Sequence, residues 1–361
     1  PKRFGGLGCR QAVANVAGEI CHRAAGQEFE HQERLDTFLL ALDGTSDKRR
    51  LGANAILAVS LAFARAEAQA RGVPLYVYFA GLTGTTPTLP HLTVNLFSGG
   101  KHAGGQVAIQ DVLLVPRTAG TVDEALAAVY AVYQAAAALC YDKYGMRALS
   151  ADEGGLAPPF LDADAMLSEA VQAIERAGLR PGHTMALAVD VASTHFYYDG
   201  CYLLGHERLA SHGMIERIQT WLDRYPILSV EDGLAEDDWE AWPDLNTVLQ
   251  GRALTLGDDF LCTNPARIGR AVEMQAANAL LLKVNQVGTL TEAATAYRLA
   301  RQAGWGVVVS ARSGETEDNW LADLATGWAA DYIKVGSITQ SERLAKYNRL
   351  LAIEAELGGR E

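Results

Sequence analysis

Six short apolar segments in the second half of the chain each end in a polar side chain that can carry chemistry. They span residues 186–190, 227–231, 254–258, 279–283, 307–310 and 331–334, and they end in Asp190, Glu231, Asp258, Lys283, Ser310 and Lys334. The end residues are 41, 27, 25, 27 and 24 residues apart. A spacing of about 25 residues accommodates one strand and one helix, which is the repeat of a β/α barrel. The pattern predicts an α/β protein built on such a barrel.

The chemistry of a β/α barrel lies at the carboxyl ends of its strands. Asp190, Glu231 and Asp258 would therefore lie close together and would repel one another without a cation between them. Ligands that offer only oxygen atoms suit Mg²⁺. We expect a magnesium site at these three acids. The alternative is that each is an ordinary loop or N-cap acid.

Residues 305–318 add a candidate anion site. After an apolar run the sequence turns polar at Ser310, Arg312 and Ser313. Gly314 then lets the backbone approach a ligand closely. An arginine, two hydroxyls and free backbone N–H groups, placed where a strand leads into a helix, suit a phosphate. For this segment alone, a solvated turn between strand and helix is the alternative.

Nine segments of the chain resemble those of the enolase family. They follow the family's order from about Phe4 to Gly358 and comprise residues 52–57 (GANAIL), 99–104 (GGKHAG), 152–155 (DEGG), 230–232 (VED), 236–239 (EDDW), 257–259 (GDD), 280–286 (LLLKVNQ), 313–318 (SGETED) and 341–348 (SERLAKYN). This resemblance is long and involves many separate motifs, so it is far more specific than one short motif.

The resemblance implies an enolase-type (β/α)8 barrel that follows a smaller N-terminal α+β domain. We expect an N-terminal capping domain at residues 1–82 and a catalytic barrel at residues 83–361, joined by the Thr-, Pro- and Gly-rich stretch 83–90. Apolar periodicity predicts helices at residues 11–20, 32–42 and 53–71. The family's N-terminal sheet and mobile Gly/Ser-rich loop are not found before Phe4, so the sheet is expected to be missing here.

The resemblance also implies roles for individual residues. Glu153 would be the general acid and Lys283 the base that removes a proton, and Lys283 follows an apolar strand that would lower its pKa. Asp190, Glu231 and Asp258 would hold the obligate Mg²⁺. The substrate would contact a larger set: His102, Asp111, Ser310, Arg312, Ser313 and Lys334. The reaction would convert 2-phosphoglycerate into phosphoenolpyruvate.

Four positions depart from the family's pattern. Ala311 stands in place of a histidine, Lys101 in place of the usual serine, and Gly233 in place of a proline. Asp111, predicted inside a strand at residues 107–115, stands in place of a glutamate. Its carboxyl is withdrawn by roughly 1.5 Å, one C–C bond length, and its alternative role is a salt-bridged core acid. Ala311 and Asp111 are smaller than the residues they replace, and together with Lys101 they predict a roomier and more cationic pocket.

Composition limits the possible partners. The 361 residues carry a net charge of −12, which argues against binding nucleic acid or an anionic membrane surface. The five cysteines show no CxxC spacing and fit free thiols in a reducing cytoplasm. We expect no apolar stretch of transmembrane length. The expected partners are a small phosphorylated carboxylate and, by resemblance, further copies of the chain in a dimer or larger homo-oligomer.

Three functions remain open from the sequence. The first is a diverged enolase that dehydrates 2-phosphoglycerate. The second resembles carboxyphosphonoenolpyruvate synthase, an enolase-like transferase of phosphonate natural-product biosynthesis that would use 2-phosphoglycerate and a nucleotide-activated phosphonoformate. The third is a non-catalytic binding protein that keeps only the fold. Joint retention of the three acids, Glu153 and both lysines disfavours this third function, since a dead site has no need for clustered carboxylates.

Overall fold

The N-terminal part of the chain is helical. The computed structural model describes residues 3–145 and 149–358. After a 3-10 turn at Arg3–Gly6 come five helices, namely α1 (Arg10–Asn15), α2 (Cys21–Ala24), α3 (Gln32–Asp43), α4 (Ala53–Ala70) and α5 (Leu75–Thr83). A π-helical segment, Val16–Ile20, connects α1 to α2. The described residues 3–83 hold no strand, as expected from the sequence, and the three predicted helices are confirmed.

These helices share a small apolar core of their own. Leu35 and Leu39 on α3 pack with Ala55 and Ile56 on α4, together with Ile20. Leu35 and Leu39 are four positions apart, and on α4 Val59 and Phe63 continue the face that Ile56 begins, so each set lies on one face of its helix. The helices therefore bury an apolar stripe against each other in a cluster separate from the core that includes the barrel strands.

Residues 84–145 and 149–358, as described, contain eleven strands. They are β1 (His91–Ser98), β2 (Asp111–Pro116), β3 (Met185–Asp190), β4 (Tyr197–Tyr198), β5 (Cys201–Leu204), β6 (Glu207–Leu209), β7 (Ile227–Glu231), β8 (Leu254–Gly257), β9 (Ala279–Leu282), β10 (Gly306–Ser310) and β11 (Tyr332–Lys334). Eight of them close a barrel in the order β1-β11-β10-β9-β8-β7-β3-β2, while β4, β5 and β6 form a separate small sheet. The predicted barrel is confirmed.

Helices form the outer layer of the barrel. They are α6 (Val122–Tyr144), α7 (Ala163–Arg176), α8 (Ser211–Arg224), α9 (Trp242–Leu249), α10 (Pro265–Met274), α11 (Val284–Val287), α12 (Leu290–Gln302), α13 (Trp320–Gly327) and α14 (Ser341–Gly358). Short 3-10 turns lie at Gly100–His102 and Ser193–Phe196. Strands such as β9, buried along its whole length, lie between this layer and the barrel interior, which explains their continuous apolar sequence.

β2 runs against its two neighbours. It is antiparallel to β1 and β3, whereas the other neighbouring pairs of the barrel are parallel. The strand predicted at residues 107–115 in fact begins at Asp111, and residues 107–110 are irregular. Ser98, Asp111 and Asp190 pair in one row across β1, β2 and β3. Because β2 is reversed, its first residue lies at the end of the barrel where its neighbours finish.

The helical N-terminal part contacts the helices around the barrel at several places, including the following two. A Cβ added at Gly327 on α13 would lie 2.4 Å from the Tyr76 carbonyl oxygen, so only glycine lets α5 pack this closely. Elsewhere the Asp36 carboxylate accepts hydrogen bonds from the Thr291 backbone and hydroxyl at 3.0 and 2.6 Å. The division at residues 82 and 83 stays a prediction.

α6 is long and apolar enough, by length and composition, to cross a membrane, and it is the one such helix among the described residues. The expectation that no apolar stretch reaches that length is therefore wrong for α6. Its buried residues, which include Val129, Val132 and Ala136, belong to the apolar core that also takes in the barrel strands. A helix packed against a barrel core can have the same length and apolar composition as a membrane-spanning helix.

Candidate active site

Polar residues predicted at strand ends lie together at one end of the barrel: Asp190, Glu231, Asp258, Lys283, Ser310 and Lys334. Asp190 and Glu231 end their strands and pair in register. Ser310 and Lys334 do the same on β10 and β11. The other two directly follow β8 and β9. Parallel strands in register bring these side chains, distant in the sequence, to a common site.

Lys334 forms ion pairs with two of the predicted metal ligands. Its Nζ lies 2.9 Å from Asp190 Oδ2 and 2.7 Å from Glu231 Oε2. Burial disfavours its charged form, but these carboxylates outweigh burial and raise the pKa of Lys334 well above its usual range. Burial also disfavours the charged form of Asp190, which by itself would raise its pKa. The Lys334 ammonium nevertheless holds the pKa of Asp190 below its ordinary value. Lys334 and Asp190 are therefore both ionised.

Lys283 contacts the third predicted ligand. Its Nζ lies 2.5 Å from Asp258 Oδ2. The sequence predicted a lowered pKa, because the lysine follows an apolar strand. That expectation is wrong: burial does lower the pKa of Lys283, but the Asp258 and Glu231 carboxylates outweigh it and raise the pKa. Both acids come from other strands, so the residues adjoining Lys283 in the sequence do not reveal them.

The three predicted ligands suit a hard divalent cation. Glu231 Oε1 is buried and has no hydrogen-bond partner among the described residues, so one carboxylate oxygen is left to bind a ligand. Burial and the Asp190 charge raise the pKa of Glu231 well above its usual range, which a bound cation would reverse. Amides orient the other two acids, with Gln110 Nε2 3.2 Å from Asp190 Oδ2 and Gln286 Nε2 3.2 Å from Asp258 Oδ1. These oxygen ligands fit Mg²⁺.

Asp232 was not predicted as a site residue, although it immediately follows Glu231. Its two carboxylate oxygens accept the backbone N–H groups of Asp258 and Asp259 at 2.9 and 2.7 Å. Carboxylate oxygens of these three acids lie within 4.8 Å of one another, as in sites that can hold a metal. Asp232 thus fixes the backbone that carries Asp258. In the sequence, the adjacent acids at 231–232 and 258–259 were the pattern that could have indicated this role.

A second cluster contains His102, Asp111 and Glu153. The Asp111 carboxylate is fully buried. Its Oδ1 accepts from Ser98 Oγ at 2.5 Å, and its Oδ2 lies 2.8 Å from His102 Nδ1. Burial alone would lower the pKa of His102, but Asp111, and after it Glu153 and Asp190, raise that pKa to about 9. The imidazole is therefore a cation at neutral pH.

Glu153 is held from two sides. Its Oε1 lies 3.2 Å from Ser313 Oγ, and its Oε2 accepts from Asn95 Nδ2 at 3.2 Å. The loop that carries Glu153 packs tightly on β1, because a Cβ at Gly155 would lie 2.6 Å from Ser98 Oγ. This close approach explains Gly155, whereas Gly154 has a left-handed backbone at φ 84° and a Cβ there would lie 2.4 Å from Thr339 Oγ1.

The predicted phosphate loop begins after β10. Ser310 is buried and its hydroxyl donates to the Ala311 carbonyl at 3.0 Å, whereas Arg312 and Ser313 are exposed. Arg343, a fully buried residue of the 341–348 motif, donates to the carbonyl oxygens of Arg312 and Ser313 at 2.8 and 2.7 Å. Arg343 therefore fixes the loop backbone. The sequence analysis did not predict this role, although Arg343 belongs to one of the family motifs it identified.

Two family models match nearly the whole chain. The enolase N-terminal domain matches residues 1–79, and the enolase C-terminal TIM barrel domain matches residues 86–361. This chain belongs to the enolase family. It is an enolase-superfamily enzyme, and enolases generally use Mg²⁺. The roles of the individual residues stay predictions.

The departures from the enolase pattern lie in this same region. Ala311 is buried, and its backbone N–H donates to the Lys334 carbonyl at 2.8 Å, so a methyl group stands where enolases place an imidazole. Lys101 is exposed on the 3-10 turn beside His102. Burial and the Lys101 charge lower the pKa of His195, which follows β3. The departures remove one imidazole and add one ammonium group.

Proposed function

We propose that this enolase is a Mg²⁺-dependent lyase that removes water from 2-phosphoglycerate to give phosphoenolpyruvate. The observation that carries the proposal is the joint placement of a lysine-and-carboxylate cluster and a histidine-and-carboxylate cluster at one barrel end. The two clusters interact, since the charges of Asp111 and Glu153 raise the pKa of Lys334. Removing a proton from one carbon and protonating a leaving hydroxyl on the next needs a base and an acid side by side.

The base side of the reaction falls to the two lysines. Mg²⁺ held by Asp190, Glu231 and Asp258 would offset their charge, lower the pKa of Lys283 and stabilise the negative charge that develops on the substrate carboxylate. Lys283 takes the proton from C2 of the substrate. Lys334, a buried cation, binds the substrate carboxylate.

The acid side falls to Glu153. The electron pair of the broken C2–H bond forms the C2–C3 double bond, and the C3–O bond breaks. The departing hydroxyl takes a proton from the Glu153 carboxyl and leaves as water. Ser310, Arg312 and Ser313 lie on the loop suited to the phosphate, where backbone N–H groups add donors.

The test is absorbance of phosphoenolpyruvate formed from 2-phosphoglycerate and Mg²⁺. Wild type should turn over, and Lys283→Ala should lose turnover by at least about 10²-fold. Arg49→Ala is the control, since it removes a cation from a side chain that is 79% exposed and is not a predicted site residue. A chelator should abolish the wild-type rate. Turnover that survives Lys283→Ala would contradict the proposed base.

A second candidate is a transferase resembling carboxyphosphonoenolpyruvate synthase. Two observations favour it: the small, buried Ala311 side chain and the added cation Lys101, which together suit a larger and more anionic partner. Such an enzyme would exchange the C2 proton of 2-phosphoglycerate with Mg²⁺ yet form little phosphoenolpyruvate alone. Product that appears only after a nucleotide-activated phosphonoformate is added would establish this function in place of the first.

A further inference from the structure

A buried hydroxyl that the site prediction did not include reaches the segment that carries Lys283. Thr263 lies in the turn between β8 and α10 and is fully buried. Its Oγ1 accepts from the Lys283 backbone N–H at 2.9 Å and donates to Gln286 Oε1 at 2.7 Å. Since the backbone N–H can only donate, the hydroxyl proton of Thr263 is left for Gln286. Thr263 therefore holds the turn that follows β9 at two points.

These contacts belong to a closed ring of hydrogen bonds. Gln286 Nε2 donates to Asp258 Oδ1 at 3.2 Å, and Asp258 Oδ2 lies 2.5 Å from Lys283 Nζ. Because Thr263 donates to Gln286 Oε1, the same amide presents its Nε2 donors to Asp258. Gln286 thus occupies one oxygen of the carboxylate and leaves the other to Lys283. The Thr263 hydroxyl therefore fixes Lys283 through its backbone and also through the acid that its ammonium contacts.

The backbone of Thr263 is unusual for its residue type. Cys262 and Thr263 both lie in the left-handed region, at φ 49° and 51°. That conformation favours glycine and is an outlier for a β-branched side chain. Backbone strain of this kind clusters at functional sites, where the surrounding structure maintains it. Here the strained turn presents the Thr263 hydroxyl to Lys283.

We propose that Thr263 is a positioning residue for proton removal, whose hydroxyl holds Lys283 and, through Gln286, the Asp258 carboxylate in place. The inference rests on the proposed function, in which Lys283 takes the C2 proton. Thr263 is fully buried, so it acts through Lys283 rather than on the substrate. Displacing a reacting group by about 1 Å can cost about 10²-fold in rate.

The test removes the hydroxyl and keeps the shape of the side chain. In Thr263→Val, with saturating Mg²⁺, we expect exchange of the C2 proton of 2-phosphoglycerate and formation of phosphoenolpyruvate both to fall about 10²-fold. KM should stay within about twofold, because substrate contacts are unchanged. Exchange is the primary readout, since it needs the base in either candidate function.

Two variants serve as matched controls. Thr263→Ser keeps the hydroxyl and should recover most of the rate. Thr255→Val makes the same chemical change on β8, where the buried Thr255 Oγ1 has no hydrogen-bond partner among the described residues, and its rate should stay within about twofold of wild type. Rates are compared per folded protein, which thermal unfolding measures.

A second pair of variants tests the ring itself. Gln286→Leu should also slow exchange, and the double variant with Thr263→Val should lose less than the two single losses multiplied together, because both residues act on one ring. If Thr263→Val does not fold, Thr263→Ala replaces it in each comparison, since alanine lacks the branched Cβ and strains the left-handed backbone less.

Three results would overturn the positioning role. Exchange at the wild-type rate in Thr263→Val, or a loss that Thr263→Ser does not restore, would make Thr263 a purely structural residue and leave the proposed function intact. Fully multiplicative losses in the double variant would contradict the ring. If wild type shows neither exchange nor product, the proposed function fails, and the positioning role fails with it.

Discussion

Asp111 and Asp190 are paired across β2 and β3, although Asp111 begins its strand and Asp190 ends its own. Each acid is paired with its own cation. Asp111 binds His102 at 2.8 Å, and Asp190 binds Lys334 at 2.9 Å. The reversed strand therefore places an acid-bearing and a base-bearing cluster side by side.

Asp111→Asn should lower the pKa of His102. Burial alone lowers that pKa, and Asp111 is the largest of the acids that raise it to about 9. Without this carboxylate the imidazole should titrate below that value, which NMR of the imidazole protons measures. An unchanged pKa would mean that Glu153 and Asp190, rather than Asp111, raise the pKa of His102.

The raised pKa of His102 should also make stability depend on pH. Because the folded-state pKa lies above the ordinary 6.5, the protonated imidazole contributes stability that is complete below that ordinary value. The contribution is lost as the pH rises through about 9. Urea denaturation at about pH 6 and about pH 9.5 should therefore show a larger loss for wild type than for Asp111→Asn. Equal losses in the two proteins would contradict this assignment.

Mg²⁺ should stabilise the folded protein through Glu231. A cation that binds only the folded state adds about 2.7 kcal/mol to the free energy of unfolding at one hundred times its dissociation constant. Glu231→Gln should remove this gain, because the unpartnered oxygen and the charge are lost. Without Mg²⁺ the variant should be at least as stable as wild type, since burial and repulsion from Asp190 disfavour the Glu231 charge by more than its pairing with Lys334 favours it. Thermal unfolding measures both, and Glu216→Gln, at an exposed position, is the control.

Asp232→Ala should weaken both stability and Mg²⁺ binding. The change leaves two backbone N–H groups, of Asp258 and Asp259, without their acceptors, at about 1–3 kcal/mol each. Asp232→Asn keeps one acceptor oxygen and tolerates the left-handed backbone at φ 44°, so its effect should be smaller. Urea denaturation and Mg²⁺ titration calorimetry measure the two effects. Equal behaviour of the two variants would argue against this positioning role.

Gly327→Ala should destabilise the contact between α5 and the barrel. The new Cβ would lie 2.4 Å from the Tyr76 carbonyl oxygen and 2.8 Å from Phe79 Cβ, so we expect a loss of about 1–3 kcal/mol. Gly269→Ala on α10 is a matched control, because its Cβ meets nothing within 4 Å. There alanine should stabilise by roughly 0.5–1 kcal/mol. Denaturation of both variants should give opposite signs.

The sequence predicted the barrel because its regularity is local. Each strand end carries a polar residue after an apolar run, and the repeat length contains one strand and one helix. Asp190, Glu231, Asp258, Lys283 and Lys334 could be placed at one end of the barrel for this reason. Family motifs added Glu153 and His102, which no periodic pattern marks.

What the sequence did not predict depends on contacts between distant segments. The direction of β2 is set by its pairing with β1 and β3, so Asp111 was placed inside a strand rather than at its start. The pKa of Lys283 is set by acids on other strands, which override its apolar surroundings in the sequence. Asp232 and Arg343 act by holding the backbone, and a residue type alone does not show which backbone atoms it will reach.

The reversed strand also makes one loop unlike the others. Residues 99–110 leave β1 and return directly to β2, with both ends tied together by Ser98 and Asp111. The loops after β3, β7, β8, β9 and β10 instead lead onward to outer helices, directly or through the small sheet. Because His102 in this loop is a predicted substrate contact, we expect exchanges within residues 99–110 to change substrate preference without displacing any helix of the outer layer.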